Sequence, residues 1–283
     1  MASSTILLST YNGEKYLADQ IESILAQTDH DWKLLIRDDG SCDKTNSIID
    51  QYTQNYPDKI NRLTADKNLG VVGSFGALLQ ACDTDYMFLC DQDDVWLPTK
   101  IEDTKRKMIE VECQYPNSPV GIYTDLRVVD ENLQTIRNSF WEYSRIEPSL
   151  LTSFDYLCVH PAATGCTVMI NRLAKEISLP LGKDVRMHDA WIMLSILKNN
   201  GKVDYIRKQT MLYRQHSNNV VGAIDENDSY LMTRIKGIRA VVKNNKSQWK
   251  MISKLGFSSP LKYLWIKVCY QYKYNSLRKA SEK

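Results

Sequence analysis

The N-terminal half of the chain alternates between short apolar runs and helical repeats. Four runs are apolar or rich in β-formers and are bounded by turn-forming residues, which is typical of strands. They are Thr5–Ser9, Lys33–Asp38, Ile60–Thr64 and Tyr86–Cys90. Three helical patterns fit between them, at Tyr16–Gln27, Lys44–Tyr56 and Gly73–Cys82. This order predicts an α/β fold with a mostly parallel central sheet that carries helices on both faces.

Beyond Pro116 the alternation weakens but does not stop. VGIYTDLRVVD predicts a strand and hairpin, TGCTVMINR a strand that enters a helix, and AWIMLSILKNNG an apolar helix ended by glycine. VDYIRKQTMLYR predicts two short strands. Because no linker rich in Pro, Gly or Ser intervenes, we expect residues 1–225 to form one domain, followed by a basic, aromatic-rich helical extension at 226–283.

Composition narrows the class of protein without identifying it. With 43% hydrophobic and 25% charged residues, the chain has the composition of an ordered globular protein. Its seven cysteines show no C-x-x-C spacing, which argues against a disulfide framework or a structural zinc site. The N-terminus, MASSTILLSTYNG, has no basic region before its short apolar run, so we expect neither a signal peptide nor a membrane span, and a cytoplasmic protein.

The net charge of +2 conceals a basic C-terminal region. From Met232 to Lys283 there are thirteen Lys or Arg and one acid, Glu282, which gives +12 and leaves −10 for the remainder. Apolar residues recur there at helical spacing among lysines, at Leu261, Leu264, Trp265, Val268 and Tyr272. Such a helix can lie on an anionic membrane, which would make the protein peripheral on the inner face of the cell membrane. Alternatively, it can dock on the domain with its lysines solvated.

The loops that follow the four predicted strands are unusually polar. They read STYNG, RDDGS, TADKNLG and CDQDDVW. Any one of them could be an ordinary turn, since Asp, Asn, Gly and Ser are the commonest turn residues. Ligands of parallel sheets bind beyond the carboxyl ends of the strands, so four such loops at one edge favour a polar cleft.

Three carboxylates within four positions, Asp91, Asp93 and Asp94, dominate the last of these loops. A divalent cation would offset their repulsion, and oxygen ligands suit Mg²⁺ or Mn²⁺. Because Mg²⁺ takes few protein carboxylates and completes its shell with phosphates and water, the pattern indicates a phosphorylated substrate. The alternative is a solvated turn with a helix cap, where Asp94 or Thr99 begins the helix after Pro98.

The second loop offers Asp38 and Asp39, which could accept hydrogen bonds from a base N–H or a ribose hydroxyl. With nucleotide on one side and metal-bound phosphate on the other, the cleft would hold a nucleotide diphosphate. Neither G-x-G-x-x-G nor G-x-x-x-x-G-K-[ST] occurs, which argues against a dinucleotide enzyme or a P-loop kinase.

Four segments resemble, in order, blocks of the family 2 glycosyltransferases, which are inverting enzymes with the Rossmann-like GT-A fold. The segments are LLSTYNGEKYLADQIESILAQT, LLIRDDGSCDKT, NLGVVGSF and FLCDQDDVWLPTK, with further matches near Gly165, His188–Asp189 and His216. The D-Q-D-D-x-W form and the later YRQHSNN are most similar to the bacterial rhamnosyltransferase branch, although Ser217 stands where that branch more often has Gly.

The resemblance implies a role for each matching residue. Asp189 would be the general base, although it could instead be only the N-cap of the helix that contains AWIMLSIL. Asp93 would be the most direct metal ligand. The donor nucleotide would contact Thr10, Tyr11, Asp38, Asp39 and Asn68. The metal and the diphosphate would be bound by Asp91, Asp93, His216, Arg214 and Lys100. The sugar or the acceptor would contact Asp94, Trp96, Gly165 and His188.

The expected function is therefore an inverting, metal-dependent glycosyltransferase. It would move L-rhamnose from dTDP-rhamnose to a saccharide acceptor, free or lipid-linked, in the synthesis of a cell-surface polysaccharide. Three alternatives remain open: a UDP-dependent glucosyl- or galactosyltransferase of the same fold, a metal-dependent nucleotidyltransferase or phosphohydrolase, and a non-catalytic module whose basic tail binds nucleic acid. No nucleic-acid motif is recognised, so we expect no such partner. The sequence leaves the oligomeric state open.

Overall fold

The computed structural model describes residues 3–65, 67–160, 163–216 and 248–281. Its strands are β1 (Ser4–Thr10), β2 (Lys33–Asp38), β3 (Ile60–Arg62), β4 (Tyr86–Cys90), β5 (Val95–Trp96), β6 (Val120–Val129), β7 (Thr135–Arg137), β8 (Met169–Asn171) and β9 (Lys202–Arg214). Its helices are α1 (Leu17–Leu25), α2 (Thr45–Asn55), α3 (Gly70–Ala81), α4 (Lys100–Gln114), α5 (Phe140–Tyr143), α6 (Phe154–Val159), α7 (Arg172–Ser178), α8 (His188–Lys198), α9 (248–254) and α10 (Pro260–Ser281).

These strands form a single sheet in the order β3-β2-β1-β4-β8-β6-β9-β5, with β7 paired to β6. Strand β1 runs parallel to β2 and β4, β2 is parallel to β3, and β6 is parallel to β9. Only β8, β5 and β7 among the described strands run in the opposite direction. The predicted α/β fold with a mostly parallel sheet is confirmed, and the carboxyl ends of β1, β2 and β4 meet at one edge.

Helices cover both faces of the sheet, so its central strands are apolar on both sides. In β1, Ile6 and Leu8 point into one core while Leu7 points into the other, because successive side chains of a strand alternate between faces. The first core also contains Leu34 and Ile36 of β2. This double burial explains why the strands appear in the sequence as continuous apolar runs.

Several predicted boundaries change in the structure. Strand β3 ends at Arg62, and helix α3 begins at Gly70, three residues before the predicted start. The prediction of two short strands in VDYIRKQTMLYR was wrong, since β9 is one strand of 13 residues. It stays continuous because it pairs with the long β6, and register shifts between Thr124 and Arg127 absorb the mismatch between the two strands.

The C-terminal helices pack against the same core as α8. Met251 and Ile252 of α9 are buried there, together with Tyr263, Ile266 and Tyr270 of α10. The predicted helical character of this region is confirmed, whereas the predicted boundary between 225 and 226 lies outside the described residues. None of the helices that the structure describes combines the length and the hydrophobicity needed to cross a bilayer.

Candidate active site

The side chain of Gln92 joins the end of β1 to the loop after β4 that contains Asp91, Asp93 and Asp94, called the acidic loop below. Its Oε1 accepts from the Tyr11 N–H at 2.7 Å and from the Thr10 hydroxyl, and its Nε2 donates to the Tyr11 carbonyl at 3.1 Å. Gly13 permits this approach, because a Cβ there would lie 2.5 Å from Gln92 Oε1. Sequence reasoning did not single out Gln92, whose only signal is its place inside CDQDDVW.

Asp38, at the end of β2, organises the turn that follows it. Its buried carboxylate accepts from the Gly40 N–H at 3.3 Å, from the Ser41 N–H at 3.0 Å and from the Ser41 hydroxyl. The Ser41 hydroxyl also accepts from the Asn12 N–H at 2.8 Å, which connects the loops after β1 and β2. These hydrogen bonds place the two loops side by side at the cleft.

Asp39 is buried and holds the first turn of α3. Its carboxylate pairs with Arg37 and accepts from the Leu69 and Gly70 N–H groups at 2.7 and 2.8 Å. An anionic side chain at this position complements the helix dipole. The exposed Asn68 accepts from the Gly70 N–H as well, at 3.0 Å, and so lies at the same helix start.

Two carboxylates of the acidic loop are held in surroundings that disfavour their charge. Asp94 is buried; its Oδ1 accepts from the Arg214 N–H at 3.3 Å, and the thiol of Cys166 lies beside its carboxyl group. Burial, and then the charges of Asp93 and Asp91, raise the pKa of Asp94. Burial raises the pKa of Asp91 to about 7, with contributions from Asp93 and Asp189. A divalent cation bound at this loop would reverse that preference and favour the charged forms of both carboxylates.

Asp93 lies against the end of β9. Its Oδ2 is 2.9 Å from Nε2 of His216, whose ring packs on Tyr16 with centroids 4.9 Å apart. Arg214 donates through Nε to the Asp93 carbonyl at 3.0 Å. The structure thus brings together Asp93 and His216, which are distant in sequence and were both predicted to belong to the metal site.

Gly165 and Cys166 connect the acidic loop to the start of α8. A Cβ at Gly165 would lie 3.0 Å from His188 Nε2 and 3.4 Å from Asp189 Oδ2. Potential ligand atoms of Cys166, Asp91 and Asp94 all lie within 4.8 Å of one another. Sequence reasoning missed Cys166, because nothing in its spacing distinguishes it from the other cysteines.

Helix α8 presents His188 and Asp189 in its first turn. Met187 occupies the N-cap position, without a side-chain cap hydrogen bond, and the helix begins at His188, so the alternative that Asp189 is its N-cap was wrong. Asp189 is buried, and its Oδ1 accepts from the Ala190 N–H at 2.6 Å. His188 stacks on Phe75 with centroids 3.9 Å apart, and within the described chain neither of its ring nitrogens has a partner. Because burial lowers the pKa of His188, its ring is neutral near pH 7.

The structure does not bring Lys100, Trp96 and Arg214 into the cleft. Lys100 is buried with Nζ 3.3 Å from Thr210 Oγ1 and 4.8 Å from the centroid of the Trp96 ring, and burial lowers its pKa to about 8. Trp96 is buried in β5. The buried guanidinium of Arg214 donates to the Glu131 carbonyl at 2.7 Å and to other acceptors. These three side chains are therefore buried behind the acidic loop and do not line the cleft.

The other side chains predicted for the metal site offer ligand atoms that fit a divalent cation. The carboxylates of Asp91 and Asp93 and the imidazole of His216 provide the oxygen and nitrogen ligands that suit Mg²⁺ or Mn²⁺. The thiol of Cys166 fits a hard cation poorly, and burial raises its pKa, which keeps it protonated. Beside these ligands Asp189 is a carboxylate that could accept a proton, so the cleft can neutralise an anionic group and deprotonate a hydroxyl.

Comparison with known proteins identifies the family of the chain. Residues 5–176 match the family model described as Glycosyl transferase family 2. The chain is 33% identical over 233 residues to the dTDP-rhamnosyl transferase RfbG of Shigella flexneri, covering 76% of this chain and 74% of that protein. It is 27% identical over 198 residues to the UDP-Glc:alpha-D-GlcNAc-diphosphoundecaprenol beta-1,3-glucosyltransferase WfgD of Escherichia coli, covering 69% and 70%.

Solved structures share the fold at low sequence identity. TarS 1-349 of S. aureus in complex with UDP-GlcNAc superposes with a TM-score of 0.58 at 16% identity, over 84% of this chain and 66% of that one. The mannosyltransferase PcManGT of Pyrobaculum calidifontis, in complex with GDP-Man and Mn2+, superposes with a TM-score of 0.59 at 14% identity, over 99% and 79%. The chain has the GT-A fold and belongs to glycosyltransferase family 2.

Proposed function

We propose that this protein is an inverting, metal-dependent glycosyltransferase that moves L-rhamnose from dTDP-rhamnose to a saccharide acceptor during synthesis of a cell-surface polysaccharide. The observation that carries the proposal is the position of Asp189 near the acidic loop: a Cβ at Gly165 would lie 3.4 Å from Asp189 Oδ2, and the next residue, Cys166, lies within 4.8 Å of Asp91. A base for the acceptor and a site for the leaving diphosphate would then share one cleft.

Inversion requires a single displacement at the anomeric carbon of the donor sugar. The acceptor oxygen forms its bond to that carbon as the bond to the diphosphate oxygen breaks, and the diphosphate leaves with the electron pair. The proton of the acceptor hydroxyl goes to the Asp189 carboxylate, which is fixed in the first turn of α8. The neutral His188 ring, with unpartnered nitrogens among the described residues, can exchange a hydrogen bond with a sugar hydroxyl beside it.

The acidic loop and the neighbouring loops would hold the rest of the donor. Asp91, Asp93 and His216 would bind the divalent cation, which when bound stabilises the negative charge that develops on the departing diphosphate. The nucleotide side of the cleft would be lined by Thr10, Tyr11, Asp38 and Asn68. We propose that Asp39 contributes there through the α3 start that it holds.

The choice of donor and acceptor rests on relatives. The name of RfbG supports dTDP-rhamnose, whereas the name of WfgD supports the second candidate, a UDP-glucose-dependent transferase of the same fold. WfgD is also named for an acceptor carried on diphosphoundecaprenol, which supports a lipid-linked saccharide acceptor here. The reaction would then take place in the cytoplasm, at the inner face of the cell membrane.

A screen of nucleotide sugars tests the proposal. dTDP-rhamnose, UDP-glucose, UDP-galactose and GDP-mannose are each incubated with the protein and Mn²⁺ or Mg²⁺. No saccharide acceptor is added, so water takes the sugar, and the slow release of nucleoside diphosphate is measured with and without a chelator. We expect cation-dependent release from dTDP-rhamnose above the other three donors. Preference for UDP-glucose would favour the second candidate. Release of sugar 1-phosphate or inorganic phosphate in place of nucleoside diphosphate would indicate a nucleotidyltransferase or a phosphohydrolase instead.

Two isosteric variants separate the proposed roles. Asp189→Asn removes the base without removing a cation ligand, so donor binding should persist while transfer falls by at least about a hundredfold. Asp93→Asn should lose cation-dependent donor binding as well as transfer. Asp58→Asn is the matched control, because Asp58 is exposed in the turn before β3, at the opposite edge of the sheet. Loss of donor binding in Asp189→Asn would assign Asp189 to the donor site rather than to the base.

A further inference from the structure

Helix α10 has apolar side chains on two opposite faces. One face is docked, since Tyr263, Ile266 and Tyr270 are buried in the core shared with α8. The Tyr270 hydroxyl also accepts from the Glu147 N–H at 3.2 Å. The docked face accounts for part of the apolar pattern, and it fixes which side of the helix points outward.

The outward face carries a stripe of large apolar side chains. Its members are each 59% to 80% exposed: Leu261, Leu264, Trp265, Val268 and Tyr272. At 3.6 residues per turn, all of them fall within an arc of about 100° on the helix surface. Single exposed apolar residues are ordinary, but a contiguous stripe of five marks an interaction surface.

Basic residues border the apolar stripe on both sides. By the same helical geometry, Lys262, which also pairs with Asp155 at 2.8 Å, and Lys273 flank one edge, and Lys267 and Arg278 flank the other. Between residues 248 and 281 the sequence contains seven Lys or Arg and no Asp or Glu. An apolar face with basic edges has the composition of helices that lie in a membrane interface.

We propose that α10 rests on an anionic lipid bilayer, with the apolar stripe in the boundary between headgroups and acyl chains. Charge favours lipid over a second copy of the chain, because two such helices would bring their basic edges together, whereas anionic headgroups complement them. The rest of the protein carries net negative charge, which keeps the bilayer on the α10 side of the molecule.

The docked face connects this surface to the active site. Tyr270 packs against His160 with ring centroids 4.8 Å apart, and His160 precedes Gly165 by five residues, a span of at most about 18 Å. Helix α10 also packs on α6, which packs on α8, the helix that presents Asp189. If the proposed function holds, the bound bilayer thus positions the cleft near acceptors whose lipid carrier lies in that bilayer.

Vesicle binding tests the surface independently of catalysis. The full chain is sedimented with vesicles of phosphatidylglycerol and phosphatidylcholine, or of phosphatidylcholine alone, without donor or acceptor. We expect binding to the anionic vesicles that weakens with added salt, and a loss of at least about tenfold for the double variant Leu264→Glu/Trp265→Glu. Ile109→Glu is the matched control, because Ile109 is 48% exposed on α4, and it should bind as the unaltered protein does.

Three results would overturn the inference. They are absence of binding to anionic vesicles, equal binding by the double variant, and a dimer in solution that the double variant dissociates, which would assign the stripe to a second copy. Circular dichroism checks that the variants fold. Because no sugar donor is present, failure of the proposed transferase activity would leave the vesicle result unaffected.

Discussion

Lys100 illustrates how burial decides the role of a charged side chain. Its ammonium lies in the core against Trp96, with Thr210 as hydrogen-bond partner, and burial lowers its pKa from 10.5 to about 8. Below pH 8 the folded and unfolded chains both hold the proton, so the folded state bears the full penalty of a buried charge. Between about pH 8 and pH 10.5 only the unfolded chain holds it, so the contribution of this group to stability rises with pH.

Lys100→Met should therefore stabilise the protein at neutral pH. The variant removes the buried charge and keeps a chain of similar length, so we expect a gain of about 1–3 kcal/mol in the free energy of unfolding at pH 7. The advantage over the unaltered protein should shrink between pH 8 and pH 10.5. Denaturant unfolding at several pH values measures this difference. Unchanged stability with a large rise in donor KM would return Lys100 to the diphosphate site.

A substitution at Gly165 would test the positions of Asp189 and His188, because both side chains lie against this glycine. An added methyl group would lie 3.0 Å from His188 Nε2 and 3.4 Å from Asp189 Oδ2, so these side chains must shift by tenths of an ångström. We expect Gly165→Ala to lower kcat by about tenfold to a hundredfold while the protein remains folded, because small displacements of a base are costly. Gly182→Ala is the control, since nothing lies within 4 Å of a Cβ there. Unaltered kcat would remove Gly165 from the site.

At the scale of elements, Arg214 at the end of β9 forms hydrogen bonds with three separate segments: helix α1, the β6–β7 turn and the acidic loop. Arg214 donates to Asp19 of α1 at 2.9 Å, to the Glu131 carbonyl in the β6–β7 turn at 2.7 Å and to the Asp93 carbonyl at 3.0 Å. The central guanidinium carbon of Arg214 also lies 4.5 Å from the centroid of the Tyr16 ring, which adds a cation–π interaction. A single buried side chain therefore sets the acidic loop relative to α1 and β6.

Arg214→Met should loosen this arrangement without emptying the space. Two backbone carbonyls lose their donor, and we expect a loss of about 2–3 kcal/mol in stability together with weaker cation-dependent donor binding. Arg207→Met is the control on the same strand, because the Arg207–Glu147 pair is largely exposed on the arginine side and contributes little. Thermal or denaturant unfolding and donor titration measure the two effects. Equal losses in both variants would contradict a special role for Arg214.

The elements that the sequence predicts well are those governed by local patterns. Strands β1, β2 and β4 are continuous apolar runs because both faces are buried, and α10 follows helical spacing. Long-range pairing decided the rest: the continuity of β9 depends on β6, and strand β5 is only Val95–Trp96 paired with β9. For the same reason, the polar loops predicted a cleft, but not that Gln92 joins two of them or that Cys166 lies beside Asp91.

At the scale of the whole molecule, charge is distributed unevenly between an acidic cleft and a basic C-terminal region. Asp91 and Asp94 are held with raised pKa values because they are buried near other acids, including Asp93 and, for Asp91, Asp189. The folded state thus keeps repulsion that an unfolded chain would relieve in water. Any ligand that neutralises the cleft and binds only the folded chain must stabilise the entire protein.

Mn²⁺ together with a nucleoside diphosphate should therefore raise the melting temperature more than either alone. At ligand concentrations about a hundredfold above Kd, binding adds about 2.7 kcal/mol, which corresponds to a rise of about 4–5 °C for a chain of this size. A chelator should reverse the rise. Differential scanning fluorimetry on Asp93→Asn should show no cooperative increase, because a proposed ligand is lost, whereas Asp58→Asn should behave as the unaltered protein does. A melting temperature indifferent to Mn²⁺ in the presence of the nucleotide would contradict a cation site in the acidic loop, since repulsion among its carboxylates would then have no counterion to relieve it.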